Sequence, residues 1–498
     1  MTFLLAFIIP CALLLPGCNN SGEEKKVAET KTSDIPATSK STEAIASFQE
    51  GLNFFDLGDV KKARESFSKA ISQDPKFGLA YLMRANTSNS SKEFADDIAS
   101  GKANIDSASS WEKMYADYMG TNLTGERNRG LELLQKIATE YPDAARAQTD
   151  LGNAYAGNNQ FDKSRQSYSK AIELNPAWVG GYSALTNSYL FNEPKDLKKA
   201  EENALKVVSM ATKSAGAEIT LGDVYRAQND FAKAKDAYTK AVQLDTEAPE
   251  AYYKLGHSNT YLGNMEEARK NYGEAGMHDV SKSGSVINFA YTYLYAGDPK
   301  TAISYLSGEL SKMDTPSASI SKIANEKNNL LTNIALIALH IGDGATLKKT
   351  VPAIQSTSNQ IAIDMGNTTE AKIFKTADSL HWQAMVALSE GKFDEAKAIE
   401  EAMKKALDPI KDDRKLEGYH ADMGRISMNQ KNYGDAIGYF EKADPNSIYY
   451  KFMLGKANEA SGNKEKAMAL YKEVGAFNFN GIDNALVRNE AKKILGAP

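Results

Sequence analysis

Residues 145–176 read ARAQTDLGNAYAGNNQFDKSRQSYSKAIELNP. The same frame returns at 215–245 as AGAEITLGDVYRAQNDFAKAKDAYTKAVQLD and at 249–275 as PEAYYKLGHSNTYLGNMEEARKNYGEA. It returns again at 44–75, 417–445 and 448–474. Counted from the start of each copy, position 8 is Gly51, Gly152, Gly222, Gly256, Gly424 and Gly455. Position 20 is Ala63, Ser164, Ala234, Ala268, Ala436 and Ala467, and position 24 is Phe67, Tyr168, Tyr238, Tyr272, Phe440 and Tyr471. Position 27 is alanine in five copies, and Pro75 and Pro176 stand at position 32. Self-similarity at a fixed period is the mark of a stacked array in which each unit buries its apolar face against the next.

These segments resemble the tetratricopeptide repeat, whose pattern runs W-x2-L-G-x2-Y, then A-x3-F, then P. The resemblance implies helical hairpins. Positions 8 and 20 are expected to face each other where the two helices approach closely, and the aromatic at 24 to fill the space between hairpins. Gly58-Asp59 and Gly263-Asn264 fit the turn between helices, and proline closes the second helix because it lacks an N–H. Weaker copies start near 78, 111, 179 and 283. No alternating apolar pattern competes. The fold expected is all-α, a right-handed superhelical solenoid of about twelve hairpins, covering residues 44–476. A last helix near 483–495 is expected to cap the stack.

The organisation read from the sequence is a leader at 1–17, a lipidated cysteine and tether at 18–42, and a repeat array at 43–316. Irregular long-helix hairpins follow at 317–412, either a hinge or a degenerate repeat pair, and repeats with a capping helix at 413–498. Two long apolar-periodic helices are expected near 319–341 and 366–389.

Residues 3–15, FLLAFIIPCALLL, are too short to span a bilayer and suit the apolar core of a secretory signal. Leu15-Pro16-Gly17-Cys18 resembles the lipobox of bacterial lipoproteins, which implies acylation of Cys18 and removal of the residues before it. Proline at −2 and the absence of Lys or Arg before the apolar core depart from that pattern. A plain secretory signal, with Cys18 an ordinary residue, is the alternative. Several acyl chains would hold the protein durably on a membrane. Asn19 in place of aspartate favours the periplasmic face of the outer membrane. Residues 19–42 are polar and lack aromatics, as a flexible tether requires.

The 498 residues carry 59 basic and 64 acidic side chains, a net charge of −5, which disfavours nucleic acid as a partner. Both cysteines, Cys11 and Cys18, lie within the first 18 residues, so no disulfide or thiolate site is available downstream. No HExxH occurs among the five histidines, and no phosphate-binding loop or nucleophile elbow is present. The aspartates of residues 94–97 (FADD) and 411–414 (KDDR) read as solvated turn charges, and His340 as a helix-end histidine favoured by the dipole. No cofactor or metal site is expected, and no enzymatic activity.

In the family it resembles, first helices line a groove. That places Arg146, Asn153, Asp223, Arg226, Tyr253, His257, Tyr261, Arg425, Tyr449 and Phe452 as candidates for holding a partner. Tyrosine and arginine suit protein recognition. The clamp that grips a chaperone's C-terminal carboxylate is absent. Asn153 matches its position 9, but Thr149, Thr220 and Glu250 stand where the clamp needs other residues. The function expected is a non-catalytic, membrane-anchored scaffold for envelope proteins. An assembly factor for outer-membrane proteins, pili or secretion, and a glycan- or peptidoglycan-binding protein, are the alternatives. Oligomeric state stays open.

Overall fold

The computed structural model describes residues 36–279, 281–313 and 320–496. The leader, Cys18 and the tether up to residue 35 lie outside the described residues. Every regular element among the described residues is a helix. The chain divides into two compact units. Of the described residues, one takes those up to Lys254 apart from Ser90–Lys92, and the other takes those three residues and everything from Leu255.

The N-terminal unit holds α1 (Thr42–Asp56), α2 (Val60–Gln73), α3 (Gly78–Ala85), α4 (Ser91–Ala103), α5 (Ser110–Thr124) and α6 (Arg127–Glu140). It continues with α7 (Ala145–Gly157), α8 (Phe161–Leu174), α9 (Val179–Phe191), α10 (Leu197–Met210), α11 (Ala215–Ala227) and α12 (Phe231–Leu244). The division falls inside α13 (Pro249–Tyr261). The C-terminal unit holds α14 (Met265–His278), α15 (Ser283–Tyr295), α16 (Pro299–Lys312), α17 (Ile320–Ile341), α18 (Gly344–Asp364) and α19 (Thr369–Ser389). It ends with α20 (Phe393–Ala406), α21 (Glu417–Asn429), α22 (Tyr433–Phe440), α23 (Ile448–Ala460), α24 (Lys464–Ala476) and α25 (Ile482–Ile494). Odd-numbered helices open a hairpin and even-numbered ones close it, which gives twelve hairpins and one further helix among the described residues.

The hairpin turn is encoded locally. Gly58, Gly263 and Gly297 take positive φ between the helices, and Asn159, Asn229 and Lys431 do so elsewhere. An aspartate often follows and caps the second helix: Asp59 accepts from the backbone N–H of Lys62, Asp230 from Lys233 and Asp298 from Thr301. The glycine at position 8 lies against two neighbours: a Cβ on Gly152 would stand 3.1 Å from the backbone oxygen of Ser164, at position 20, and closer still to the aromatic at 24. A Cβ on Gly152, Gly222 or Gly256 would lie 2.4 Å from the ring of Tyr168, Tyr238 or Tyr272, the position-24 aromatic of the same hairpin. The aromatic at 24 therefore demands a small residue at 8, as does the close approach of the two helices. The side chains of Tyr238, Tyr272 and Tyr471 are fully buried.

The helices near 319–341 and 366–389 are present as α17 and α19, with 22 and 21 residues. Between them α18 is also long, and it carries Pro352 in its first half. Residues 91–103 form α4. Asp97 is a buried helical residue bonded bidentately to Arg84, at 2.6 and 3.0 Å, not a solvated turn charge. No described helix is long and apolar enough to cross a membrane.

Candidate functional site

In both units the row of first helices is covered by an element of the same unit. In the N-terminal unit the end of α1 reaches across the row. Asp56 receives both terminal nitrogens of Arg146, at 3.0 and 2.7 Å, and the guanidinium stands 4.8 Å over Trp178. Leu57 packs with Val179, Tyr182 and Ala217. The start of α2 meets the end of α12, where Lys62 donates to Asp245 at 2.8 Å.

In the C-terminal unit the covering element is α25 with the segment before it. The side-chain amide of Asn480 donates to Asn288 at 2.7 Å and accepts from the Tyr295 hydroxyl at 3.0 Å. Asn484 donates to the Tyr261 hydroxyl at 2.9 Å, and Arg488 lies 4.7 Å over the Tyr261 ring. Asn489 donates to the Tyr295 carbonyl at 2.8 Å. His340 sits between the Tyr449 hydroxyl, at 3.2 Å, and the Glu490 carboxylate, at 2.9 Å. His340 thus joins three helices, a role beyond that of a helix-end residue. The final helix folds back across α15, α17 and α23 as well as closing on α24.

The candidate groove residues are correspondingly engaged. Asn153 accepts from the Tyr168 hydroxyl at 2.8 Å. Asp223 is buried between the Tyr238 hydroxyl at 2.6 Å, Lys254 at 2.9 Å and Arg226 at 3.2 Å. Burial opposes the Asp223 charge, but the two cations and the tyrosine hold its carboxyl below the usual range. Arg226 and Tyr253 are buried. The His257 imidazole meets Asn288 at 3.1 Å, and Tyr261 meets the Tyr295 hydroxyl at 3.3 Å. Arg425 lies 4.7 Å over the Tyr449 ring, and Phe452 is buried against Tyr471. The structure brings together Asp223 with Arg226, and Arg425 with Tyr449. The rest are spread along their rows.

A second cluster was not singled out in the sequence. His381 on α19, Glu400 on α20 and Asp422 on α21 are all buried, and one potential ligand atom from each lies within 4.8 Å of the others. The Nδ1 of His381 meets an Asp422 carboxylate oxygen at 2.5 Å. Both carboxylate oxygens of Glu400 and the second oxygen of Asp422 are buried without a hydrogen-bond partner. Burial lowers the His381 imidazolium pKa. Burial also works against the Asp422 charge, yet His381 and Arg425 hold this carboxyl below its ordinary range, so Asp422 is the anion and His381 its donor. Burial, and next the Asp422 charge, push Glu400 far above the usual carboxylate range. The Trp382 ring stands edge-on to His381 at 4.7 Å, and Trp382, Met385 and Met403 belong to the same buried core. Of the three, only His381 belongs to a residue type scarce enough to stand out in the sequence, and no local spacing joins it to the others.

Family models for the tetratricopeptide repeat match residues 145–178, and residues 44–77 with 249–275. A further model, described as TPR repeat, matches residues 222–260. No curated protein matches the chain significantly. Among solved structures, the chain is similar to TTC0263, a thermophilic TPR protein in Thermus thermophilus. The identity is 18% over 37% of this chain and 100% of that one, with a TM-score of 0.34. It is similar to MamA from Desulfovibrio magneticus at 20% identity, over 34% and 94% of the two chains, with a TM-score of 0.29. It is also similar to YrrB, described as a TPR protein with an unusual peptide-binding site. That identity is 20% over 39% and 97%, with a TM-score of 0.27. The chain carries tetratricopeptide repeats, stacked as helical hairpins in an all-α solenoid fold.

Proposed function

We propose that this protein is a lipid-anchored, non-catalytic scaffold that binds other proteins in a bacterial envelope. The tetratricopeptide repeats carry the protein-binding part of this reading, since stacked hairpins present extended rows of first helices to a partner. One observation supports it most. The row in the C-terminal unit holds a helix, α25, through Asn484, Arg488 and Glu490, and the segment before it through Asn480. Such a row accepts a helix by aromatic and amide contacts, as in helix-in-groove recognition. A partner segment takes the same seat by displacing α25, or uses the faces that α25 leaves open.

The anchor rests on residues 15–18 and on the polar tether behind them. Acylation of Cys18 would concentrate the scaffold at a membrane, the periplasmic face of the outer membrane being favoured. The test is lipid labelling and fractionation of cells carrying the natural chain or Cys18→Ser, followed by crosslinking in the envelope fraction. Incorporation of labelled fatty acid that Cys18→Ser abolishes, with an envelope protein crosslinked only to the anchored form, is the expected result. Equal release of both forms as soluble protein contradicts the anchor.

A further inference from the structure

The buried groups that the repeat architecture does not account for converge at α19, α20 and α21. Three carboxylate oxygens there, Glu400 Oε1 and Oε2 and Asp422 Oδ1, lack any donor. One proton on Glu400 cannot satisfy them. It would bond one Glu400 oxygen to Asp422 and leave the other Glu400 oxygen unpaired inside the apolar core. A cation bound by both oxygens of Glu400 and one of Asp422 leaves no Glu400 oxygen unpaired. The third member, His381, presents an imidazole nitrogen to the same point.

We propose that His381, Glu400 and Asp422 form a binding site for one divalent transition-metal ion, with zinc the best match. One imidazole and two carboxylates are donors that zinc accepts, whereas magnesium and calcium require mostly oxygen donors and several waters. Zinc bonds of about 2.0–2.2 Å put tetrahedral ligand atoms roughly 3.3–3.6 Å apart. From the observed spread, within 4.8 Å, the ligands need only side-chain adjustments to reach that geometry. The His381–Asp422 hydrogen bond opens as both atoms turn to the metal, and the proton on Glu400 passes to solvent. Arg425, whose charge bears on Asp422, stays as a positioning group beside the carboxylate. The ion would pin α21 to the preceding α19–α20 hairpin and so stiffen the stack at its long-helix region.

The test uses the purified full chain, stripped with a chelator and titrated with Zn2+ by calorimetry, with Mg2+ as control. Expected are one equivalent of zinc per chain and a rise in melting temperature on the order of 5 °C at saturating metal. Co2+ in place of zinc should give the visible absorption of a low-coordinate site. Glu400→Gln keeps the shape and removes the anionic ligand. It should weaken zinc binding by at least about tenfold and abolish the thermal shift. Absence of stoichiometric metal, or an equivalent retained with unchanged affinity in Glu400→Gln, overturns the proposal.

Discussion

Helices α11 and α21 carry the same local device, a buried aspartate with an arginine three residues on: Asp223 with Arg226, and Asp422 with Arg425. What surrounds the two aspartates differs. The hairpin of α11 and its successor bring donors, the Tyr238 hydroxyl at 2.6 Å and Lys254 at 2.9 Å. The hairpin before α21 brings His381 and a second carboxyl, Glu400, and leaves acceptors over. In the first arrangement both carboxylate oxygens are paired. The second leaves three carboxylate oxygens without a donor. One helix face supplies the charge in both, and the neighbouring hairpin decides what the charge does.

The largest effect should come from breaking the first arrangement. Asp223→Ala removes the buried anion that Arg226 and Lys254 share, leaving Lys254 to Glu250 at 3.2 Å, and should cost about 3–5 kcal/mol in urea unfolding. The same carboxylate sets a pH dependence. Its pKa is depressed in the fold, so its stabilisation is present above the unfolded value of about 3.9 and is lost as pH falls through the lower folded value. Asp223→Asn should therefore flatten the acid limb of the stability profile.

Gly222→Leu and Gly424→Leu test whether the two regions share one hairpin rule. The added side chain meets Tyr238 or Phe440. Each should cost about 1–3 kcal/mol, and each should be non-additive with truncation of its own aromatic. Equal, additive losses would show that the ring is not the obstacle.

Smaller effects sharpen the contrast at the second arrangement. In chelator-treated protein, Glu400→Gln should change stability by less than about 1 kcal/mol, because it replaces a neutral buried acid with a neutral amide. The smallest is Glu490→Ala. It removes a partly exposed partner of His340 and should cost less than about 1 kcal/mol, while loosening α25 in hydrogen exchange.

The hairpins were legible because their rules are local. A glycine eight residues in, an aromatic at 24 and a capped turn identify them without any knowledge of the neighbours. Gly152 and Tyr168 are an example, and the ring adds a second reason for the glycine to the close approach of the helices. Features built between hairpins were not legible. His381 and Asp422 are 41 residues apart, and no spacing rule links them. Asp97 looked like a turn charge because its partner Arg84 lies on another helix. The seat of α25 depends on Tyr261 and Tyr295, which precede their partners by 185 residues or more, so the sequence offered only a capping helix.

The reading of the protein as a scaffold is tested most directly by photo-crosslinking in cells from Tyr261, in the natural chain and in Arg488→Ala. Arg488 ties α25 to Asn478 at 2.7 Å and covers Tyr261, so its loss should free the seat. The account predicts one dominant protein crosslinked from Tyr261, with a yield that rises in Arg488→Ala. A diffuse spread of products, unchanged by Arg488→Ala and no different from a probe on the outer face of α16, would contradict it.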